Sequence, residues 1–152
     1  MTETSTDIGS VLSISEEVPE QKDQTGYDGI TNWEKVKGLV SIGAVGNSTS
    51  TVEIPDLESG RTIIKKGTVQ GTDTAITVRK IPGDPGQQKM IEAAKPTNLS
   101  EYSIRIEEPD GTIEYASGVI HSRQRRAREG GSYAGFDFTF VPNNESVFTD
   151  PE

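Results

Sequence analysis

Gly60-Arg-Thr-Ile-Ile-Lys-Lys-Gly67, then Thr74-Ala-Ile-Thr-Val78, then Gly83-Asp-Pro-Gly-Gln-Gln-Lys-Met-Ile-Glu-Ala-Ala94 is the stretch that decides the fold. The first and second pieces are rich in β-branched residues and read as strands. Lys65-Lys66-Gly67 reads as a basic turn, and the glycines of 67–73 suit a turn or a bulge. Asp84 has the side chain to N-cap a helix, and Pro85 fits its first turn, where a missing N–H costs nothing. Gln87, Met90, Ile91 and Ala94 fall on one helical face, and Lys95-Pro96 stops the helix. The order is strand, turn, strand, short capped helix, with nothing catalytic in it.

Outward from there the chain reads as strands. Ser10–Ser15 alternates enough for a first strand, and 16–29, with Pro19 and two glycines, reads as a long loop. Trp33–Ile42 is a strand region interrupted at Gly38, Gly43–Thr49 a loop, and Thr51–Ile54 a short strand ended by Pro55. Tyr102–Glu107 alternates with Tyr102, Ile104 and Ile106 inward. Pro109-Asp110-Gly111 makes a tight turn into Ile113–His121. Ser132–Val141 places Ala134, Phe136, Phe138 and Phe140 on one face and Asp137 on the other. Met1–Gly9 and Asn143–Glu152 read as flexible tails of a single domain spanning 1–152. The fold class expected is mainly β: an antiparallel β-sandwich or barrel with one short α-helix packed on its side.

Composition sets limits. Hydrophobic residues are 31% of the 152, low for a globular domain, so polar surface or completion by partners is expected. With no cysteine there is no disulfide framework and no thiolate site. No apolar run approaches the ~18 residues of a membrane span, and Met1–Asp7 lacks the pattern of a signal peptide. The net charge of −9 is segmented. Residues 1–60 carry eleven acids and three bases, 61–96 carry seven bases and three acids, and 129–152 carry five acids and no base. Such segmentation arises by chance in solvated loops, and equally where one surface meets the opposite charge on a neighbouring copy.

His121 is the only histidine, and Ser122 beside it would point to the other face of a strand, so a triad is not expected. Glu107, Glu108, Asp110 and Glu114 flank a hairpin without the spacing of a glycosidase pair or a calcium loop. The glycines near 67–86 lack the Lys-Ser/Thr of a Walker loop. No catalytic residue, cofactor or metal is expected. Trp33 reads as a core or interface anchor. Arg123, Arg125, Arg126 and Arg128 admit three readings: phosphate contact, an arm pairing with carboxylates of a neighbour, or a solvated basic loop.

The order and spacing of these elements resemble the major tail tube proteins of long-tailed bacteriophages. Tyr27-Asp28 before Trp33-Glu34-Lys35-Val36 carries the resemblance, with Lys65-Lys66-Gly67, Thr74–Val78, Asp84–Gln87 and the closing strands from Tyr102 to Val141. It covers roughly residues 10–142. It implies a structural virion protein that polymerises as stacked hexameric rings into a tail tube, with a long loop reaching the next ring. It also implies an acidic lumen through which double-stranded DNA passes without specific binding. Tape measure, tail terminator and tail tip proteins would be partners, and assembly would occur in the host cytoplasm. Trp33, Lys65, Lys66, Arg123, Arg125, Arg126 and Arg128 are the expected subunit contacts. Glu34, Glu53 and Asp137 are the expected lumen carboxylates. An inner-tube protein of a contractile secretion system and a carbohydrate-binding β-sandwich remain alternatives.

Overall fold

The computed structural model describes residues 9–149. Expectations for 1–8 and 150–152 lie outside them. Ten strands and two helices follow in order: β1 (Val11–Ser15), α1 (Gln24–Asp28), β2 (Glu34–Val36), β3 (Leu39–Ile42), β4 (Asn47–Asp56), β5 (Arg61–Gly71), β6 (Thr74–Arg79), α2 (Pro85–Ala93), β7 (Tyr102–Glu107), β8 (Ile113–Arg125), β9 (Gly135–Pro142) and β10 (Val147–Thr149).

The main sheet runs β2-β1-β7-β8-β9-β6-β3, with β10 added on β8 and every pairing antiparallel. Its two ends, β2 and β3, are consecutive in the chain, separated only by Lys37 and Gly38. A path whose first and last strands are joined by two residues must curl back on itself. The core confirms the curl: Leu12 and Val36 from one end share a buried cluster with Ile76, Val78 and the three phenylalanines of β9 from the other. Full alternation in β7 and β9 puts Ile104, Ile106, Phe136, Phe138 and Phe140 in that core. Ala134 is exposed, outside the strand that begins at Gly135.

The helix α2 closes the curl. Asp84 caps it as expected, its Oδ2 accepting from the Gln87 N–H at 3.2 Å and also from the Lys37 N–H at 3.0 Å. Gln87 is 2% exposed and donates to the carbonyls of Lys37 (2.6 Å) and Arg79 (2.7 Å) while accepting from the Ile81 N–H (3.1 Å). One side chain thus ties the β2–β3 link to the end of β6. Gly38 sits there at φ +76°, where a Cβ would lie 2.6 Å from the Arg79 carbonyl oxygen. Gly86 lets α2 approach β2, since a Cβ would meet the Lys35 oxygen at 2.2 Å.

Several expectations are corrected. The 16–29 loop contains α1, capped by Asp23, whose side chain accepts from the Gly26 N–H. Of the expected 43–49 loop only 43–46 stays outside a strand; the rest joins the expected 51–54 strand in β4, which runs through Pro55. Lys65-Lys66-Gly67 is no turn: it lies inside β5. The bulge half of that expectation holds, because Ser50 faces the two residues Gly67 and Thr68, and its Oγ accepts from the Thr68 N–H at 2.9 Å. The stretch expected as a C-terminal tail carries β10.

Candidate assembly surfaces

The ladder between β3 and β6 continues into β4 and β5. Ile42 pairs Ile76, Gly43 N–H donates to the Ala75 carbonyl, Thr72 N–H to the Gly46 carbonyl, and Asn47 pairs Gly71. Residues 39–79 are therefore one long two-stranded ribbon. Its root is part of the curled sheet, and its outer half, β4–β5, is a separate two-stranded arm. At about 3.3 Å per residue the ten residues of β4 reach about 33 Å. Both faces of the arm are solvent-exposed, and it carries apolar side chains on each. Val52 (48% exposed), Ile54 (42%) and Ile63 (44%) lie on one face, Ile64 (64%) and Val69 (62%) on the other, with Leu57 fully exposed at the tip. A two-stranded ribbon with no buried face has nothing within its own subunit to hold it. A cleft of about 890 Å³ opens at the arm's root, between Lys66, Val69 and Gln70 and the segment Val141–Ser146 with Phe148.

On the outer face of the sheet a second, small cluster forms. Tyr27 of α1 stacks on Tyr115 of β8, with ring centroids 5.1 Å apart and planes 3° off parallel, and Trp33 leans on Tyr115 at 6.0 Å. The Tyr27 hydroxyl donates to Ser117 Oγ (3.0 Å), and the Tyr115 hydroxyl to Asp28 Oδ1 (2.6 Å). Burial raises the Tyr27 pKa. The Tyr115 pKa is pushed up to about 12, first by burial and then by the Asp28 carboxylate it bonds. Trp33 is thus placed as an anchor within its own subunit, with the Arg105 guanidinium 5.1 Å from its ring.

The arginines divide between a strand and the loop that follows it, Arg126 and Arg128 lying beyond the end of β8. Arg123 and Arg125 belong to β8, and an extra residue, His121, is bulged out between the Ile120–Phe140 and Ser122–Thr139 pairs. The bulge reverses the alternation, so Arg123 and Arg125 stand opposite Phe138 and Phe136, on the core side of the sheet. Arg123 lies 5.6 Å from the Phe136 ring. Arg126 turns outward, 4.4 Å from the Tyr133 ring and 3.8 Å from Asp137 Oδ1. Arg128 is exposed. His121 Nε2 is exposed and 3.8 Å from Asp73 Oδ1, not held by a serine.

The expected lumen carboxylates are not brought together within the subunit. Glu34 pairs Ile14, which puts it at the rim of the core-facing side of β2. Glu53 is on the arm, turned away from Val52 and Ile54 as the alternation requires, but neither face there is core. Asp137 is on the outer face of β9, accepting from the Thr77 hydroxyl at 2.8 Å and facing Arg126. Lys65 and Lys66 point to opposite faces of the arm. Glu114 is raised in pKa by burial and by the nearby Glu108 charge, against a lowering hydrogen bond from Ser146. Among the described residues no group of three or more His, Cys, Asp or Glu side chains could hold a metal ion, and no helix is long and apolar enough to cross a membrane.

A curled antiparallel sheet with a helix clasping its seam and a long protruding ribbon defines the class of fold. No family model matches the chain, and no curated protein sequence matches it. Among solved structures it is similar to the sheath/tube terminator of an extracellular contractile injection system, PVC (TM-score 0.70, 14% identity, 98% of this chain and 99% of that one). It is also similar to the tube-terminating cap of the anti-feeding prophage (TM-score 0.66, 13% identity, 99% and 93%). The SPP1 tail tube protein is similar as well (TM-score 0.56, 14% identity, 93% and 77%). The chain has the tail-tube fold.

Proposed function

We propose that this protein is a structural subunit that assembles with copies of itself into the tube of a phage tail or a related injection particle. The observation that carries the reading is the arm. Its apolar side chains are each worth roughly 1.5–3 kcal/mol when fully buried, and within the subunit they remain in water. A surface of this kind marks an interaction site. The similarity of fold over nearly the whole chain supports the same reading and favours a second copy as the partner. In this reading the copies form hexameric rings, the rings stack, and the arm of one subunit lies on a neighbour. The bore is lined with carboxylates that repel DNA phosphates, so a genome slides without sticking. Tape measure, terminator and tip proteins are the partners at the bore and ends, and the tail of a virion, built in a host cytoplasm, is the location. No chemistry is assigned.

A second reading is favoured by the match in length and fold to a tube terminator and a tube-terminating cap: the chain forms the ring that ends a tube. A terminal ring would close as a ring and stop there. A tube subunit would elongate. Sedimentation and negative-stain microscopy of the full chain across a range of concentrations separate the two, and a chain that stays monomeric throughout contradicts both.

A further inference from the structure

The seam of the curled sheet is closed in one place and open in another. Asp84 and Gln87 clasp it where β2 passes into β3. Beyond that link the two ends of the sheet path part, and a cleft of about 650 Å³ lies between them. One wall is β3 with its continuation to Val45. The other is Gly9 and Ser10 at the entry to β1, with Ile106 of β7 and, beyond it, Glu108 and Glu114. The floor is apolar. Ile106 belongs to the main core, and Leu39, Ile42 and Val45 pack against that core while only partly buried. Val40 stands on the rim, 49% exposed. The margin of the core is left uncovered here, as at an interaction site.

Among the described residues, Glu108 and Glu114 are the only charged groups lining the cleft. Glu114 is level with Ile106 in the β7–β8 ladder, on the core-facing side of the sheet. Neither carboxylate has a cation partner among the described residues. Arg105 is turned to the other face of β7, where it meets Trp33 and Glu107. An apolar floor beside two unpaired carboxylates fits an occupant that is apolar and basic.

The arm offers such a face. In the β4–β5 register Val52 stands beside Lys65, Ile54 beside Ile63 and Asp56 beside Arg61, all on one side of the ribbon. Lys65 and Arg61 are exposed and have no ion pair among the described residues. The Asp56 carboxylate is taken up at the tip, accepting from the Glu58 N–H (3.1 Å) and the Ser59 hydroxyl (2.8 Å). This face is therefore aliphatic and cationic, whereas the opposite one carries Glu53 beside Ile64. It cannot serve its own subunit. β4 holds the chain extended, so Val52 lies about 23 Å along the ribbon from Val45 at the end of the cleft.

We infer that the Val52–Ile54–Ile63 face of one copy's arm seats in the β3 cleft of another copy, with Lys65 and Arg61 against Glu114 and Glu108. This rests on the reading of the chain as a self-assembling subunit and gives the arm its receiving surface. Burial of the aliphatic side chains supplies the attraction, and the charge pairs select this face of the arm over the other. Arm face and cleft are different surfaces, so the contact is head-to-tail, as rings and tubes require.

The test is a charge exchange in the full chain, read by sedimentation. R61E/K65E and E108K/E114K should each raise the concentration needed for assembly by about tenfold or more, with circular dichroism unchanged. An equimolar mixture of the two should assemble again, as should a chain carrying all four changes, because opposite charges again meet across the contact. K66E, on the other face of the arm, should assemble like the wild type. If E108K/E114K perturbs folding, E108Q/E114Q replaces it and should be folded but weakened in assembly. Arm and cleft variants that assemble as well as a ring-forming wild type would overturn this inference and leave the tube reading standing. So would an equal loss in K66E, which would mean that the arm's net charge is recognised and not this face. A four-change variant that is folded but monomeric would overturn it too. Cleft variants that lower the monomer's thermal midpoint and leave assembly unchanged would give the cleft to a segment of the same chain, again overturning it. A wild type that never assembles removes the reading beneath it.

Discussion

At the scale of single residues, Gln87 is the side chain on which closure depends. It satisfies two buried carbonyls and one N–H drawn from both edges of the sheet. Gln87→Ala strands these groups, each unmade bond costing about 1–3 kcal/mol. The expected result is an unfolding free energy lower by at least that amount, read as a lower urea midpoint at unchanged m-value, and an unchanged midpoint would show that water replaces the clasp. Tyr115 gives a pH dependence with a definite sign. Its folded-state pKa is raised to about 12, so its contribution to stability is present below its ordinary value of about 10 and is lost as pH rises through about 12. Alkaline unfolding followed by circular dichroism should be less steep in Tyr115→Phe. Glu114 runs the same way in the acid range. Because its pKa is raised, its contribution is present at low pH and lost as pH rises through the shifted value. Glu114→Gln should therefore raise the urea midpoint at pH 7, and the gain should vanish below about pH 4. A gain that persists at low pH would mean packing, not charge, is responsible.

At the scale of elements, legibility followed burial. β7 and β9 were readable because one face is apolar and the other is not, and α2 because its cap, its proline and its apolar face agree. The full length of the arm is not legible locally because it has no buried face: Ser, Thr and Gly alternate with isolated Val and Ile on both sides, and no period marks a core. What makes it a strand pair is continuity with the β3–β6 ladder, a long-range fact absent from local composition. The same applies to the arginines. A run of Arg123–Arg128 looks like a loop, but the His121 bulge carries two of them along β8 beside the phenylalanines. α1 has five residues, too few for periodicity, and its one signal was Asp23 as a cap. The carboxylates Glu34, Glu53 and Asp137 rest on the acidic bore that the resemblance implies, with alternation supporting Glu53 and Asp137. Alternation identifies a face but not which element the face belongs to, so the three ended on three different surfaces. The arm yields a prediction at its own scale. Ile54→Glu with Ile63→Glu changes exposed positions, so the monomer's stability should move by no more than about 0.5 kcal/mol. Assembly should be lost. Retained assembly would mean that another surface joins the copies.

At the scale of the whole molecule, a closed, clasped body carries a protruding arm. The body buries its apolar side chains within the subunit, and the arm does not. Amides of 47–71 should exchange quickly in the free subunit, because their hydrogen bonds are exposed, and become protected on assembly, while amides of β7 and β9 stay protected in both states. Lysine at Glu34, Glu53 and Asp137 tests the acidic bore: virions so changed should eject their genome slowly or incompletely if these side chains face DNA, and at the normal rate if they do not. The central claim, self-assembly into stacked sixfold rings, is tested most directly by electron microscopy of the purified full chain at high concentration. The account predicts rings or tubes with sixfold end views and the arm of each subunit lying on a neighbour. Isolated single subunits at every concentration would contradict it.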